Sequence, residues 1–95
     1  MQSLQWLEVM SHEPMLNKIL ENYPDEMFLK ADGFDEAILG VELESMVIAY
    51  SCKKCIDILK EKGYEYADAI EFFEFSVKNV DFGKKTPIFI EDNFD

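Results

Sequence analysis

The sequence predicts a single α+β domain: a small antiparallel sheet of about three strands, packed by helices on one face, with an N-terminal helical segment. Three observations predict it. Two short apolar runs with β-branched residues, 37–41 and 46–50, flank a polar turn. Two later segments repeat apolar residues at helical spacing. A last run, Thr86-Pro87-Ile88-Phe89-Ile90, reads as a strand, with Pro87 at its start or on an edge. Strands and helices grouped in runs point to α+β architecture.

Each element has its own justification. Residues 3–10 carry Leu4, Leu7 and Met10 at helical spacing, with Trp6 alongside, and read as helical. Ser11-His12-Glu13-Pro14 breaks that run, and Pro14 suits the first turn of a new helix, where its missing N–H is no loss. Met15, Leu16, Ile19 and Leu20 form the next stripe, which ends at Tyr23-Pro24-Asp25. The stretch 25–30 fits either a helical turn or an extended entry to the next element. Asp32-Gly33 is a turn signal, and Glu42-Leu43-Glu44-Ser45 joins the two central runs as a hairpin. Ser51 is placed to cap a helix over 52–62. Its stripe is Cys52, Cys55, Ile56 and Leu59, and Gly63 supplies the stop. A second helix over 65–77 has the core stripe Tyr66, Ala69, Ile70, Phe73 and Val77, widened by Phe72 and Phe75. A loop with Gly83 covers 79–85, and the acidic tail 91–95 is expected to be loose. The domain therefore divides into a helical part over 1–30 and an α+β core over 33–91.

Charge sets the functional expectations. Twenty Asp and Glu residues face nine Lys and no Arg, a net charge of -11 on 95 residues. With 48% hydrophobic residues the chain has material for a core, so the acidity does not signal disorder. Such a field repels nucleic acid and anionic membranes and attracts basic protein surfaces. Lack of Arg removes the side chain best suited to bidentate phosphate or carboxylate recognition, which disfavours nucleotide binding and phosphoryl transfer. Two Cys, no basic apolar leader in Met1–Trp6 and no run long enough to span a bilayer lead to the expectation of a soluble, cytoplasmic protein.

Several segments together carry a resemblance: Asp32-Gly33-Phe34-Asp35-Glu36-Ala37-Ile38-Leu39-Gly40, Lys54-Cys55-Ile56-Asp57-Ile58-Leu59, Glu71-Phe72-Phe73-Glu74-Phe75, and Gly83 followed by Thr86-Pro87-Ile88-Phe89. Over roughly residues 32–91 the chain resembles a family of small acidic proteins of phages and bacteria. It departs from that pattern at Asn79-Val80-Asp81 and at Lys84. The resemblance implies a fold and a phage-like setting, and no reaction.

Cys52-Lys53-Lys54-Cys55 is the one motif with a mechanism attached. A strand leading into C-x-x-C at a helix start is where thioredoxin-like enzymes place a redox pair, because the helix N-terminus stabilises a thiolate. The same cysteines fit the buried stripe of an amphipathic helix, where free Cys packs as a small hydrophobe. Zinc is not expected, since one C-x-x-C and the lone His12 fall short of a four-ligand set. Neither a catalytic site nor a cofactor is expected.

The acids recur in two patterns. Asp25, Glu26, Asp32, Asp35, Glu36, Glu42 and Glu44 crowd one segment with only Lys30 to offset them; Glu65, Asp68, Glu71 and Glu74 repeat at every third position of the second helix. Such rows are either solvated surface or a fixed array that imitates a phosphate backbone. The expected function is that of a non-enzymatic acidic interaction protein that blocks a basic, nucleic-acid-binding defence or regulatory protein. Its partner surface is expected at Asp35, Glu36, Glu42, Glu44, Asp68, Glu71 and Glu74. Two alternatives stand beside it: an oligomerising module, with Phe72, Phe75, Phe82 and Phe94 as a candidate contact patch and the acids serving solubility, and a thiol–disulfide protein using Cys52 and Cys55.

Overall fold

The computed structural model describes the backbone of residues 4–7 and the whole of residues 14–94. Among the described residues, five strands and three helices follow in the order β1 (Leu4–Leu7), α1 (Pro14–Asn22), β2 (Phe28–Ala31), β3 (Ile38–Glu42), β4 (Val47–Ser51), α2 (Cys52–Glu61), α3 (Tyr66–Phe73) and β5 (Ile88–Ile90). A short 3-10 turn, Asp35–Ala37, precedes β3, and a π-helical segment, Glu74–Lys78, extends α3. The fold is α+β, with a three-stranded sheet in the order β3-β4-β5 and helices packed against it.

Two features depart from the sequence-based expectation. Leu4–Leu7 is a strand and not a helix: it pairs antiparallel with β2, in the register Leu4↔Ala31 to Leu7↔Phe28. Helical spacing of two leucines cannot compete with a ladder of backbone hydrogen bonds supplied by a distant partner. The Ser11-His12-Glu13 break, and His12 with it, lies outside the described residues. The three-stranded sheet is also mixed and not purely antiparallel. β3 and β4 form the expected antiparallel hairpin, but β5 pairs parallel to β4, with Ala49↔Ile88 and Ser51↔Ile90 in register. The chain between β4 and β5 runs through α2 and α3, the kind of long crossover that a parallel pair requires.

The core lies between the sheet and the helices. Leu16, Phe28, Phe34, Ile48, Tyr50, Cys55 and Leu59 are fully enclosed. Ile48 and Tyr50 point from β4 into this cluster, while Val47 and Ala49, on the other face of the strand, are buried too. β4 is thus covered on both sides, as its unbroken apolar run demands. Tyr50 stacks on Phe89 of β5 at 5.3 Å, and Phe89 meets Phe73 of α3 edge-on at 5.4 Å. This aromatic chain ties the third helix to the sheet.

Local signals act as the sequence indicates. Ser51 Oγ accepts the Lys54 N–H at 3.0 Å and caps α2. At the other end the chain turns at Gly63 with φ 107°, a conformation that costs glycine little. The Glu42 carboxylate accepts the N–H groups of Glu44 and Ser45, both at 2.9 Å, and fixes the β3–β4 turn. No helix among the described residues is long and apolar enough to cross a membrane.

Candidate functional site: the acidic and aromatic face of α3

α3 buries one side and leaves another open. Ala69, Phe73 and, in the π segment, Val77 point into the core. Asp68, Glu71, Phe72, Phe75 and Ser76 recur at helical spacing on the adjoining side, and with Tyr64 they line a groove of about 540 Å³. The Tyr64 and Phe72 rings lie 5.3 Å apart and tilted by 42°. Phe75 is 78% exposed, although it stands two residues from the 2% exposed Phe73. The π turn carries Phe75 and Ser76, and such turns recur at functional sites. Asp68 and Glu71 are exposed and make no ion pair among the described residues.

The remaining acids singled out in the sequence have other surroundings. Glu74 is paired with Lys78 at 2.7 Å, one helical turn along. Asp35 bridges to Lys30 at 3.1 Å. Glu36 lines a separate cleft together with Lys54, Asp57 and Glu61 of α2. Glu42 is committed to its own turn, which holds its carboxyl below the ordinary range through the Glu44 and Ser45 N–H groups. Glu44 stands exposed in the hairpin. The structure therefore brings Asp68 and Glu71 into one groove and disperses the others over the 3-10 turn, the hairpin and the π segment. Tyr64, which completes the groove, carries no periodic signal in the sequence; its one hint is its place just after the helix-stopping Gly63.

Compared with models of known protein families, with curated proteins and with solved structures, the chain matches none.

The cysteine pair sits in a different environment from a reactive thiol. Cys52 is 3% exposed and Cys55 fully enclosed. Burial, followed by the nearby charge of Glu91, pushes the Cys52 thiol up to about 11, with Lys78 opposing and Asp92 adding to the rise. Burial likewise raises Cys55. The helix N-terminus that would favour a thiolate is occupied by a carboxylate: Asp92 accepts the Lys53 N–H at 2.9 Å and the Ser51 hydroxyl. A thiolate nucleophile is disfavoured there by both desolvation and like charge. Asp92 also corrects the expectation of a loose tail, because its two contacts pin residues 91–93 across the start of α2. Among the described residues no group of three or more His, Cys, Asp or Glu could hold a metal ion.

Proposed function

We propose that this protein is a non-enzymatic, acidic interaction module that engages a basic protein through the open side of α3 and so occupies that protein's nucleic-acid-binding surface. One observation carries the reading: Asp68 and Glu71, which make no ion pair among the described residues, line a groove with the exposed Phe75, in a chain of net charge -11. Fixed carboxylates supply long-range attraction and orientation. The adjacent aromatic rings supply the desolvated contact that charge alone does not. The remaining acids on the hairpin and the 3-10 turn extend the negative field around this contact. A cytoplasmic setting, and a phage-like role against a host defence or regulatory factor, belong to the same proposal.

The experiment is capture of a basic partner on immobilised protein, eluted along a salt gradient, with duplex DNA as competitor. A nucleic-acid-binding protein that leaves as salt rises, is displaced by DNA, and is not retained by Asp68→Lys/Glu71→Lys supports the reading. Retention indifferent to salt and to the double charge reversal rejects it.

A second reading, a self-associating module, rests on Phe82 and Phe94, which are 57% and 77% exposed. Sedimentation over a range of concentrations separates the two, since a strict monomer at high concentration excludes self-association.

A further inference from the structure

We infer that the α3 groove is a receptor for an arginine side chain presented by a basic polypeptide. The inference rests on the reading above and gives it a recognition chemistry. Tyr64 and Phe72 line the groove with their rings in contact, 5.3 Å apart and tilted by 42°, and the 78% exposed Phe75, one turn further on, offers an open ring to an occupant. Asp68 and Glu71 open into the same groove. A purely apolar occupant would bury those carboxylates without partners. An anion would be repelled by them. A guanidinium satisfies both parts at once: its plane stacks on an aromatic face, and its edge offers paired N–H donors to a carboxylate. An ammonium is a point charge and meets the two demands less well.

The chain's own cations near this face are engaged elsewhere. Lys60 lies over the Tyr66 ring at 5.5 Å, Lys62 over Phe34 at 5.7 Å, and Lys78 is paired with Glu74. The groove therefore keeps its charge. The sequence contains no arginine, so a second copy of this chain cannot supply the preferred occupant. The ligand is a segment of a different, arginine-bearing protein.

Fluorescence anisotropy with three labelled basic peptides tests the inference, the peptides differing only in one central residue: arginine, lysine or citrulline. The arginine peptide should bind about tenfold tighter than the citrulline peptide, which keeps the shape and loses the charge. It should also bind more tightly than the lysine peptide. Phe75→Ala should weaken the arginine peptide by about fivefold, and its exposure means that the fold is retained, as a melting curve would confirm. Glu71→Gln and Asp68→Asn should weaken it more than Glu44→Gln, which makes the same charge change in the hairpin. Equal losses from Glu44→Gln and Glu71→Gln, with lysine as good as arginine and Phe75→Ala neutral, would overturn the groove while leaving a diffuse acidic interaction intact. Failure of every basic peptide to bind would overturn both.

Discussion

The carboxylate of Asp92 accepts the hydroxyl of Ser51, 41 residues earlier in the chain, while its second oxygen accepts the Lys53 N–H. Ser51 Oγ in turn accepts the Lys54 N–H. Of two consecutive donors in the first turn of α2, the Lys53 N–H is thus satisfied by the C-terminal segment directly and the Lys54 N–H by a cap which that segment holds. A negative group at this position also meets the positive end of the helix dipole. The pair fastens the chain after β5 to the junction of β4 and α2, the point where the sheet passes into the helical layer.

Asp92→Ala should lower the unfolding free energy by about 1 kcal/mol, the usual cost of a lost helix cap. Asp92→Asn should cost less, because the amide oxygen still accepts. The Lys53 N–H and the Ser51 hydroxyl hold the Asp92 carboxyl below its ordinary 3.8. Its charged form therefore favours the folded state. That contribution is present above about pH 4 and is lost as pH falls through the lower folded value. Urea titrations at pH 7 and pH 3 check both points. The gap between wild type and Asp92→Asn should narrow in acid, and an unchanged gap would show that the carboxylate does not sense the fold.

Cys52 and Cys55 should react slowly with a thiol reagent in the native protein at neutral pH, and rapidly once it is unfolded. Cys52 is raised from 9.0 to about 11 and Cys55 is raised as well, so both hold their protons more tightly when folded. The stability this contributes is complete below about pH 9 and drains away as pH rises through the folded values. Titration of the thiols by ultraviolet absorbance, with thermal melts from pH 8 to 11, reads out both effects. A native thiol that ionises near neutrality would restore the redox reading.

Tyr50→Phe removes one oxygen from the centre of the molecule. The Tyr50 hydroxyl accepts the Ala31 N–H at 2.7 Å and so joins β4 to β2 across the core. Without it a buried backbone donor has no partner, a loss of about 1–3 kcal/mol. The stacked contact with Phe89 survives the change, so the defect should localise to β2. Hydrogen exchange should show faster loss of the Ala31 amide with little change in α3. Uniform loosening would mean that the hydroxyl anchors the whole fold.

What the sequence revealed tracks how local each signal is. The α2 stripe of Cys52, Cys55, Ile56 and Leu59, the Ser51 cap and the Gly63 stop all act within a few residues, and all are found in place. So is the β3–β4 hairpin, whose turn is closed by Glu42 itself. The β1–β2 pairing links Leu4 to Ala31, and the Asp92 cap links the tail to Ser51; no window of neighbouring residues contains either contact. The direction of β5 follows from the crossover through α2 and α3, a property of the path and not of Ile88, Phe89 or Ile90. For the candidate site, the row of acids at every third position was visible. Which acids stay free was not: Lys78 takes Glu74 from that row, and Lys30 takes Asp35 from the other acidic segment, only once the backbone is in place.

Phe73 and Phe75 stand two residues apart and should respond in opposite ways to truncation. Phe73 is 2% exposed and meets Phe89 edge-on, so Phe73→Ala leaves a cavity where α3 joins the sheet and should cost about 3–5 kcal/mol. That is a large share of the stability of a domain this size, and much of the protein should be unfolded at moderate temperature. Phe75 is 78% exposed, and Phe75→Ala should change stability by no more than about 0.5 kcal/mol. Denaturant titration of the two variants separates a residue kept for the core from one kept for the surface. A large loss from Phe75→Ala would place that ring in the fold's own packing, and the open side of α3 would then have a structural reason for its aromatic character.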